Sequence, residues 1–136
     1  MSKYNLIWEA SDVLLLEALL LATGGEGGAP LQEVLLMTDA LEGTVLTLQE
    51  VEEGLQKLLS SGCINIQKNK LYLNNTFLEE YEQVTLTEGI TEETKPLEKL
   101  LEQKKLTEES IEAVRQTVMK KYKLKNHYQQ YLEQYG

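Results

Sequence analysis

The sequence predicts a mainly α-helical fold that carries one small β-hairpin and continues into further helices. An almost continuous apolar run opens the chain's first predicted helix, the apolar residues of the next two segments recur every three to four positions, and after Gly62 this period changes to strict alternation. The chain has 136 residues, of which 42% are hydrophobic, so it can bury a core of ordinary size. These observations predict a domain of three helices followed by a β-hairpin.

The first helix is expected over about residues 12–23. Ser11 and Asp12 are good N-cap residues, and the glycines that begin at Gly24 end the apolar run. Apolar residues lie on nearly every side of this helix, which predicts a central, buried position. The glycine-rich residues 24–28 follow a helix instead of a strand and precede no Lys-Ser/Thr pair, so we interpret them as a linker and not as a phosphate-binding loop.

The second helix is expected to begin at Pro30 and to end at Gly43. The third has the clearest local signal, because Thr47 and Glu50 can form a capping box ahead of a helix over about residues 48–60. Gly62 stands where glycine commonly ends a helix.

A β-hairpin should follow the third helix. Ile64 and Ile66 alternate with polar neighbours, residues 67–70 suit a turn, and Leu71 and Leu73 alternate again. A capping box of Thr76 and Glu79 then predicts a short helix over about residues 77–81.

The rest of the chain predicts a linker and a helical extension. Residues 84–95 are rich in Thr and Glu, and two or three helices follow, one of them capped by Thr107. The predicted organisation is a first domain over residues 1–82, a linker over 83–96 and a C-terminal helical extension over 97–136.

The order of helix, helix, capped helix and hairpin resembles a winged-helix (winged helix-turn-helix) domain. The segment TLQEVEEGLQKLLSSGCI, with its Thr47, Val51, Leu55 and Gly62, is similar to the third helix of bacterial winged-helix transcriptional regulators, and NIQKNKLYLN is similar to their wing. The resemblance covers about half of the chain. It implies DNA binding, with the third helix in the major groove and the wing on the backbone. The C-terminal helices resemble the dimerisation appendages of some such regulators.

The third helix lacks the chemistry that reading DNA requires. Its expected solvent-facing residues offer carboxylates and one lysine; they are Gln49, Glu50, Glu53, Gln56, Lys57 and Ser60. Carboxylates repel phosphates, and non-specific DNA affinity comes from Lys and Arg. Lys68 and Lys70 of the wing add only two cations. DNA binding through this face is therefore disfavoured.

Charge divides the chain into two parts. Residues 1–94 hold four Lys and sixteen Asp or Glu, a formal charge of −12, and residues 95–136 carry +3. Solubility and attraction between the two parts explain this asymmetry without a partner.

The basic residues of the second part are interleaved with tyrosines, and residues 113–132 contain no acid. The cations are Arg115, Lys120, Lys121, Lys123 and Lys125. We rank a structural or oligomeric role for this segment first, nucleic acid second and a membrane surface third. If the extension docks, Tyr122 and Leu124 should be partly buried and the lysines should lie near acidic residues.

Nothing in the sequence indicates catalysis, a cofactor or a metal centre. His127 is the only histidine and Cys63 the only cysteine, so no histidine–cysteine zinc cluster can form. We expect Cys63 to pack in the core, His127 to lie on a solvated surface and Trp8 to pack under the first helix. The single cysteine fits a reducing cytoplasm, and no stretch is long and apolar enough to span a membrane.

The sequence therefore predicts a cytoplasmic, non-enzymatic regulatory module that contacts protein, either as a homodimer or homo-oligomer or through an adaptor partner. A DNA-binding transcriptional regulator that uses the wing and the basic C-terminal helix is the alternative. The candidate interaction residues are Gln49, Glu53, Gln56, Lys57, Lys68, Lys70, Arg115, Lys120, Lys121, Lys123 and Lys125.

Overall fold

The computed structural model describes residues 4–88 and 95–135. Its helices are α1 (Ala10–Thr23), α2 (Leu31–Glu42), α3 (Leu48–Ser60), α4 (Asn75–Glu88), α5 (Lys95–Glu102), α6 (Glu108–Val114), α7 (Lys120–Tyr122) and α8 (Leu124–Tyr135). A π-helical segment, Arg115–Met119, joins α6 to α7. The strands are β1 (Gly28–Ala29), β2 (Ile64–Gln67) and β3 (Lys70–Leu73). The predicted fold class is confirmed: a mainly helical winged-helix arrangement with a small sheet and a C-terminal helical extension.

Helix α1 begins earlier than the sequence predicted. Its N-cap is Glu9, and Asp12 lies in the first turn, where its Oδ2 accepts a hydrogen bond of 2.9 Å from the Glu9 amide. The prediction that Ser11 and Asp12 form the cap was therefore wrong, because Asp12 stabilises the helix start from inside the first turn. Gly24, in the left-handed conformation, ends the helix as expected.

Helices α2 and α3 confirm the predicted bounds. Gly43 ends α2 in the left-handed conformation. At the start of α3, Thr47 Oγ1 accepts from the Glu50 amide at 3.1 Å, and Glu50 Oε1 accepts from the Thr47 amide at 2.8 Å. These two bonds are the capping box that the sequence predicted, and they satisfy amides at the start of the helix that have no partner within it.

The hairpin is confirmed, and a third strand joins it. Strands β2 and β3 pair antiparallel through a tight turn in which Lys68 and Asn69 have positive φ values. Strand β1 pairs with the other edge of β3, so β3 is central. The prediction that residues 24–28 form only a linker was wrong at Gly28, which pairs with Tyr72. A Cβ at Gly28 would come within 2.5 Å of the Tyr72 ring, so glycine lets this ring lie against the strand.

Helix α4 is longer than the short helix predicted over residues 77–81. It begins at Asn75 and runs to Glu88, so Thr76 lies inside it and not at its cap. Asn74 precedes the helix, and its side-chain amide donates to the Gly62 carbonyl at 2.7 Å, which joins the start of α4 to the end of α3. The predicted linker is helical at both ends, since α5 begins at Lys95, and residues 89–94 of that prediction lie outside the described residues.

The C-terminal helices pack on the winged-helix core within the same chain. Leu97, Leu100 and Leu101 of α5 are buried and belong to the same core cluster as Leu15 and Leu55. Helix α5 contacts α1 and α4, α6 contacts α3, and α8 contacts both α2 and α3. Thr107 caps α6 by accepting a hydrogen bond from the Ser110 amide, as predicted. The extension therefore adds a layer to the core.

None of the helices in residues 4–88 and 95–135 is long and apolar enough to cross a membrane.

Candidate interaction surfaces

The outward face of α3, which winged-helix domains use to read DNA, is partly covered in this chain. Helix α6 packs against α3. An N-terminal strap, which we define as residues 4–9, also contacts α3 through hydrogen bonds from its Asn5 and to its Ile7. The prediction that Gln56 and Lys57 face solvent was wrong, since both are buried, with Lys57 only 1% exposed.

Lys57 forms a buried ion pair with Asp12 of α1. Lys57 Nζ lies 2.6 Å from Asp12 Oδ2, and each side chain is 1% exposed. The ammonium also donates to the Ile7 carbonyl at 2.9 Å and lies 3.9 Å from a Glu9 carboxylate oxygen. A buried lysine requires such partners, because an unpaired ammonium in the interior is strongly destabilising. The one cation expected on the α3 surface therefore stabilises the core and is not available to DNA.

Burial raises the pKa of the Asp12 carboxyl above its ordinary value. Hydrogen bonds from Lys57 and from the Glu9 amide act in the opposite direction and favour the carboxylate. Close packing encloses the same carboxyl, since a Cβ on Gly54 would lie 3.2 Å from Asp12 Oδ1 and 2.9 Å from a Leu15 methyl carbon. Gly54 thus permits the close crossing of α1 and α3 around the ion pair.

The strap is held by contacts at both of its ends. The Tyr4 hydroxyl donates to a Glu112 carboxylate oxygen, and the Arg115 guanidinium lies 5.1 Å from the centre of the Tyr4 ring, within the range of a cation–π contact. At the other end, the Trp8 indole N–H donates to the Lys104 carbonyl at 3.1 Å. Trp8 is half-buried against the core.

Of the α3 residues predicted to contact a partner, Gln49 and Glu53 retain partial access to solvent. Glu53 accepts from the Asn5 side chain at 3.1 Å and from the Gln49 side chain at 3.0 Å. The Gln49 bond, with a smaller contribution from Asn5, lowers the pKa of the Glu53 carboxyl below its ordinary value. The Gln56 amide donates to Glu52 at 3.3 Å. These bonds tie polar groups of α3 to the strap and to one another.

The two lysines of the wing are both exposed. Lys68 occupies the tight turn and Lys70 begins β3. The structure thus places a pair of accessible cations on the hairpin, as the sequence predicted.

The cations of the C-terminal extension are also exposed. Arg115 lies in the π-helical segment, and Lys120, Lys121, Lys123 and Lys125 follow around the break between α7 and α8. Lys123 has a φ of 58°, a conformation that is costly for any residue with a side chain. In the described part of the chain no ion pair involves these four lysines, so the predicted pairing with acidic residues is not found there.

Apolar and hydrogen-bonding contacts attach the extension. Tyr122 and Leu124 are buried, as predicted for a docked extension, and burial raises the pKa of the Tyr122 hydroxyl. The Tyr128 hydroxyl donates to the Leu46 carbonyl at 2.7 Å, next to the α3 cap. His127 stacks on Tyr122 with ring centres 4.5 Å apart and is half-buried, so the prediction of a solvated histidine was wrong.

Cys63 lies in the core, as expected. Its thiol is fully buried and accepts a hydrogen bond from the Ser61 hydroxyl at 3.3 Å. Burial raises the pKa of the thiol, which reduces the thiolate fraction that a nucleophile needs. Burial and the raised pKa therefore both agree with a packing role for Cys63 in the core.

An apolar groove that the sequence analysis did not identify lies between α1 and α2. Its cavity of about 380 Å³ is lined mainly by apolar residues. They are Leu21 and Ala22 of α1 and Leu36, Met37 and Ala40 of α2, together with Glu33. Leu21 is 49% exposed. The signal in the sequence was the run Leu35-Leu36-Met37, which contains more apolar residues than one buried helix face requires.

Comparison of the chain with protein-family models, with curated protein sequences and with solved structures found no match.

Proposed function

We propose that this chain is a cytoplasmic, non-enzymatic winged-helix module that acts by contacting protein, either a second copy of itself or an adaptor partner, in a regulatory setting. The observation that carries the proposal is the partial covering of α3. The strap and α6 contact this helix, and Lys57, its one lysine, is buried against Asp12. A DNA-reading helix needs exposed donors and cations.

The surfaces that stay accessible suit a protein partner better than a substrate. The groove between α1 and α2 is open and mainly apolar, and exposed apolar groups mark interaction sites when they are contiguous. Leu132 and Tyr135 of α8 are exposed as well, at 40% and 52%. Among the described residues, no group of three His, Cys, Asp or Glu side chains is placed to hold a metal ion.

Sedimentation and capture experiments test this proposal. Analytical ultracentrifugation of the purified full chain should reveal a concentration-dependent dimer, or capture from the native host after chemical cross-linking should recover a specific protein partner. Glu26→Gln, at an exposed residue outside the candidate interaction residues, serves as a control that should leave either result unchanged. A monomer at all concentrations that captures no protein would contradict the proposal.

DNA binding by another face is the second candidate, and the exposed cations favour it. Lys68 and Lys70 on the wing and the lysines at the α7–α8 break are accessible, and cations supply most non-specific DNA affinity. This mode would use the wing and the C-terminal extension without α3.

A gel shift against mixed genomic DNA at low salt distinguishes the two candidates. Micromolar binding that weakens steeply as salt is added, and that is lost when Lys120 and Lys121 are replaced by Gln, would favour DNA. We expect no shift at these concentrations, because residues 1–94 carry a formal charge of −12 and repel phosphate.

A further inference from the structure

We propose that the groove between α1 and α2 binds an amphipathic helix of a partner protein that presents two or three apolar anchors flanked by Lys or Arg. This inference rests on the proposed function, because it names the surface and the class of partner through which a protein-contacting module would act. Its support comes from the groove's shape, its lining and the charge around it.

The groove has the dimensions of a short helix-binding site. The lining residues of α2 extend from Glu33 to Ala40, and these two positions are separated by a helical rise of about 10 Å, or two turns. A partner helix that lies along this distance can insert side chains spaced three, four and seven residues apart, which is the usual pattern of helix-in-groove recognition. The cavity of about 380 Å³ can accept such anchors and not a whole domain.

The lining is apolar and adaptable. Leu21 is half exposed although it belongs to the most apolar helix, and Leu36 and Met37 are only half-buried. Methionine adjusts to differently shaped apolar partners because its side chain is unbranched and polarisable. Leu21, Leu36 and Met37 would lose their remaining contact with water when a helix occupies the groove, and this burial supplies the attraction.

The charge around the groove selects a basic partner. Residues 4–56, which include α1, α2 and most of α3, contain ten Asp or Glu and no Lys or Arg. Glu33 lines the groove and is exposed, and Asp39 of the same helix is exposed as well. Lys or Arg on the flanks of a bound helix would meet carboxylates, and an acidic helix would be repelled. Charge complementarity with Glu33 therefore favours a partner helix that carries Lys or Arg on its flanks.

Three synthetic peptides test the inference on the full chain. The first is a helix of about 14 residues with Leu at positions i, i+3 and i+7 and Lys on both flanks. The second keeps the leucines but replaces Lys by Glu, and the third keeps the lysines but replaces Leu by Ser. Fluorescence anisotropy at physiological salt should detect binding of the first peptide only.

Substitutions in the groove test whether the first peptide binds there. Glu33→Lys and Ala40→Arg each change an exposed residue that lines the groove, and we expect each to weaken binding of the first peptide by about tenfold or more. Glu42→Lys is the matched control, since it makes the same charge change on an exposed residue of α2 outside the lining and should have a much smaller effect. Circular dichroism spectra that match the wild type would show that all three variants fold.

Four results would overturn the inference. Two concern the peptides: the first peptide does not bind, or the second or third peptide binds as tightly as the first. Two concern the variants: Glu42→Lys and Glu33→Lys weaken binding of the first peptide equally, or the groove variants abolish a self-association of the chain that ultracentrifugation detects. The last result would mean that a second copy occupies the groove. If cross-linked capture of a partner persists in the groove variants while the peptide fails to bind, the groove assignment falls and the proposed function stands.

Discussion

The ammonium of Lys57 and the carboxylate of Asp12 form an ion pair of 2.6 Å that is almost fully buried between α3 and α1. The same ammonium donates to the Ile7 carbonyl, so one side chain joins α3, α1 and the N-terminal strap. Lys57 is the only lysine or arginine of α3, so without this ion pair it would be the one cation of the helix that could contact a phosphate. The contact links the stability of the domain to the covering of its third helix.

Lys57→Met should destabilise the chain by about 3–5 kcal/mol, because it leaves the Asp12 carboxylate buried without its counter-ion. The double variant Asp12→Asn with Lys57→Met should lose clearly less unfolding free energy than Lys57→Met alone, because neutral groups then replace the whole ion pair. Denaturant unfolding of the wild type, both single variants and the double variant gives the coupling energy as a double-mutant cycle. Additive effects in this cycle would mean that the two side chains do not depend on each other.

Helix α3 and the hairpin, which have local sequence signals, were predicted within a few residues. Thr47 and Glu50 specify the start of α3 through bonds between neighbours in the chain, and the alternation around Ile64 and Leu71 specifies the hairpin. Strand β1 has only two residues, so no alternation of apolar and polar residues could reveal it. Gly28 of this strand leaves room for the ring of its partner Tyr72, which a Cβ at this position would contact too closely.

The covering of α3 could not be predicted from local patterns. A helical wheel places Lys57 away from the apolar stripe, but its partners Ile7 and Asp12 are more than forty residues away in the sequence. The strap lacks periodicity, and its contacts to Glu53 and Glu112 join distant parts of the chain.

Protonation of Glu53 should weaken the attachment of the strap at low pH. Hydrogen bonds from Gln49 and Asn5 lower the pKa of the folded-state carboxyl below its ordinary value of 4.5. The unfolded chain therefore binds this proton more tightly, so the contribution to stability is present above about pH 4.5 and is lost as pH falls through the folded pKa. The difference in unfolding free energy between the wild type and Glu53→Gln should shrink over that range.

Glu42→Gln is the control for this titration. Glu42 is exposed and forms no ion pair or hydrogen bond among the side-chain contacts of the described residues, so Glu42→Gln should change the unfolding free energy little. Unfolding curves measured between about pH 6 and pH 3 provide both comparisons. A difference for Glu53→Gln that is constant with pH would show that the Asn5 and Gln49 bonds do not favour the carboxylate.

Apolar contacts should hold the C-terminal extension more strongly than its charges do. Leu124 is buried and the Tyr128 hydroxyl bonds to the Leu46 carbonyl, whereas Lys120 and Lys121 are exposed. Leu124→Ala alone should cost about 2–5 kcal/mol, and Leu124→Ala with Tyr128→Ala should make α8 sensitive to limited proteolysis. Lys120→Ala with Lys121→Ala is the control and should leave proteolysis unchanged. Equal sensitivity of both double variants would indicate electrostatic attachment.

Replacing Lys123 with glycine should stabilise the chain. Lys123 separates α7 from α8 and has a φ of 58°, a left-handed conformation that costs a residue with a side chain about 1–2 kcal/mol. Glycine avoids this cost but loses more entropy on folding, by about 0.5–1 kcal/mol, so we expect a net gain of up to about 1.5 kcal/mol. Lys121→Gly is the matched control: it lies within α7, where glycine should destabilise by up to about 1 kcal/mol. Thermal unfolding of both variants measures these changes, and a loss of stability in Lys123→Gly would mean that its side chain makes a contact that outweighs the backbone strain.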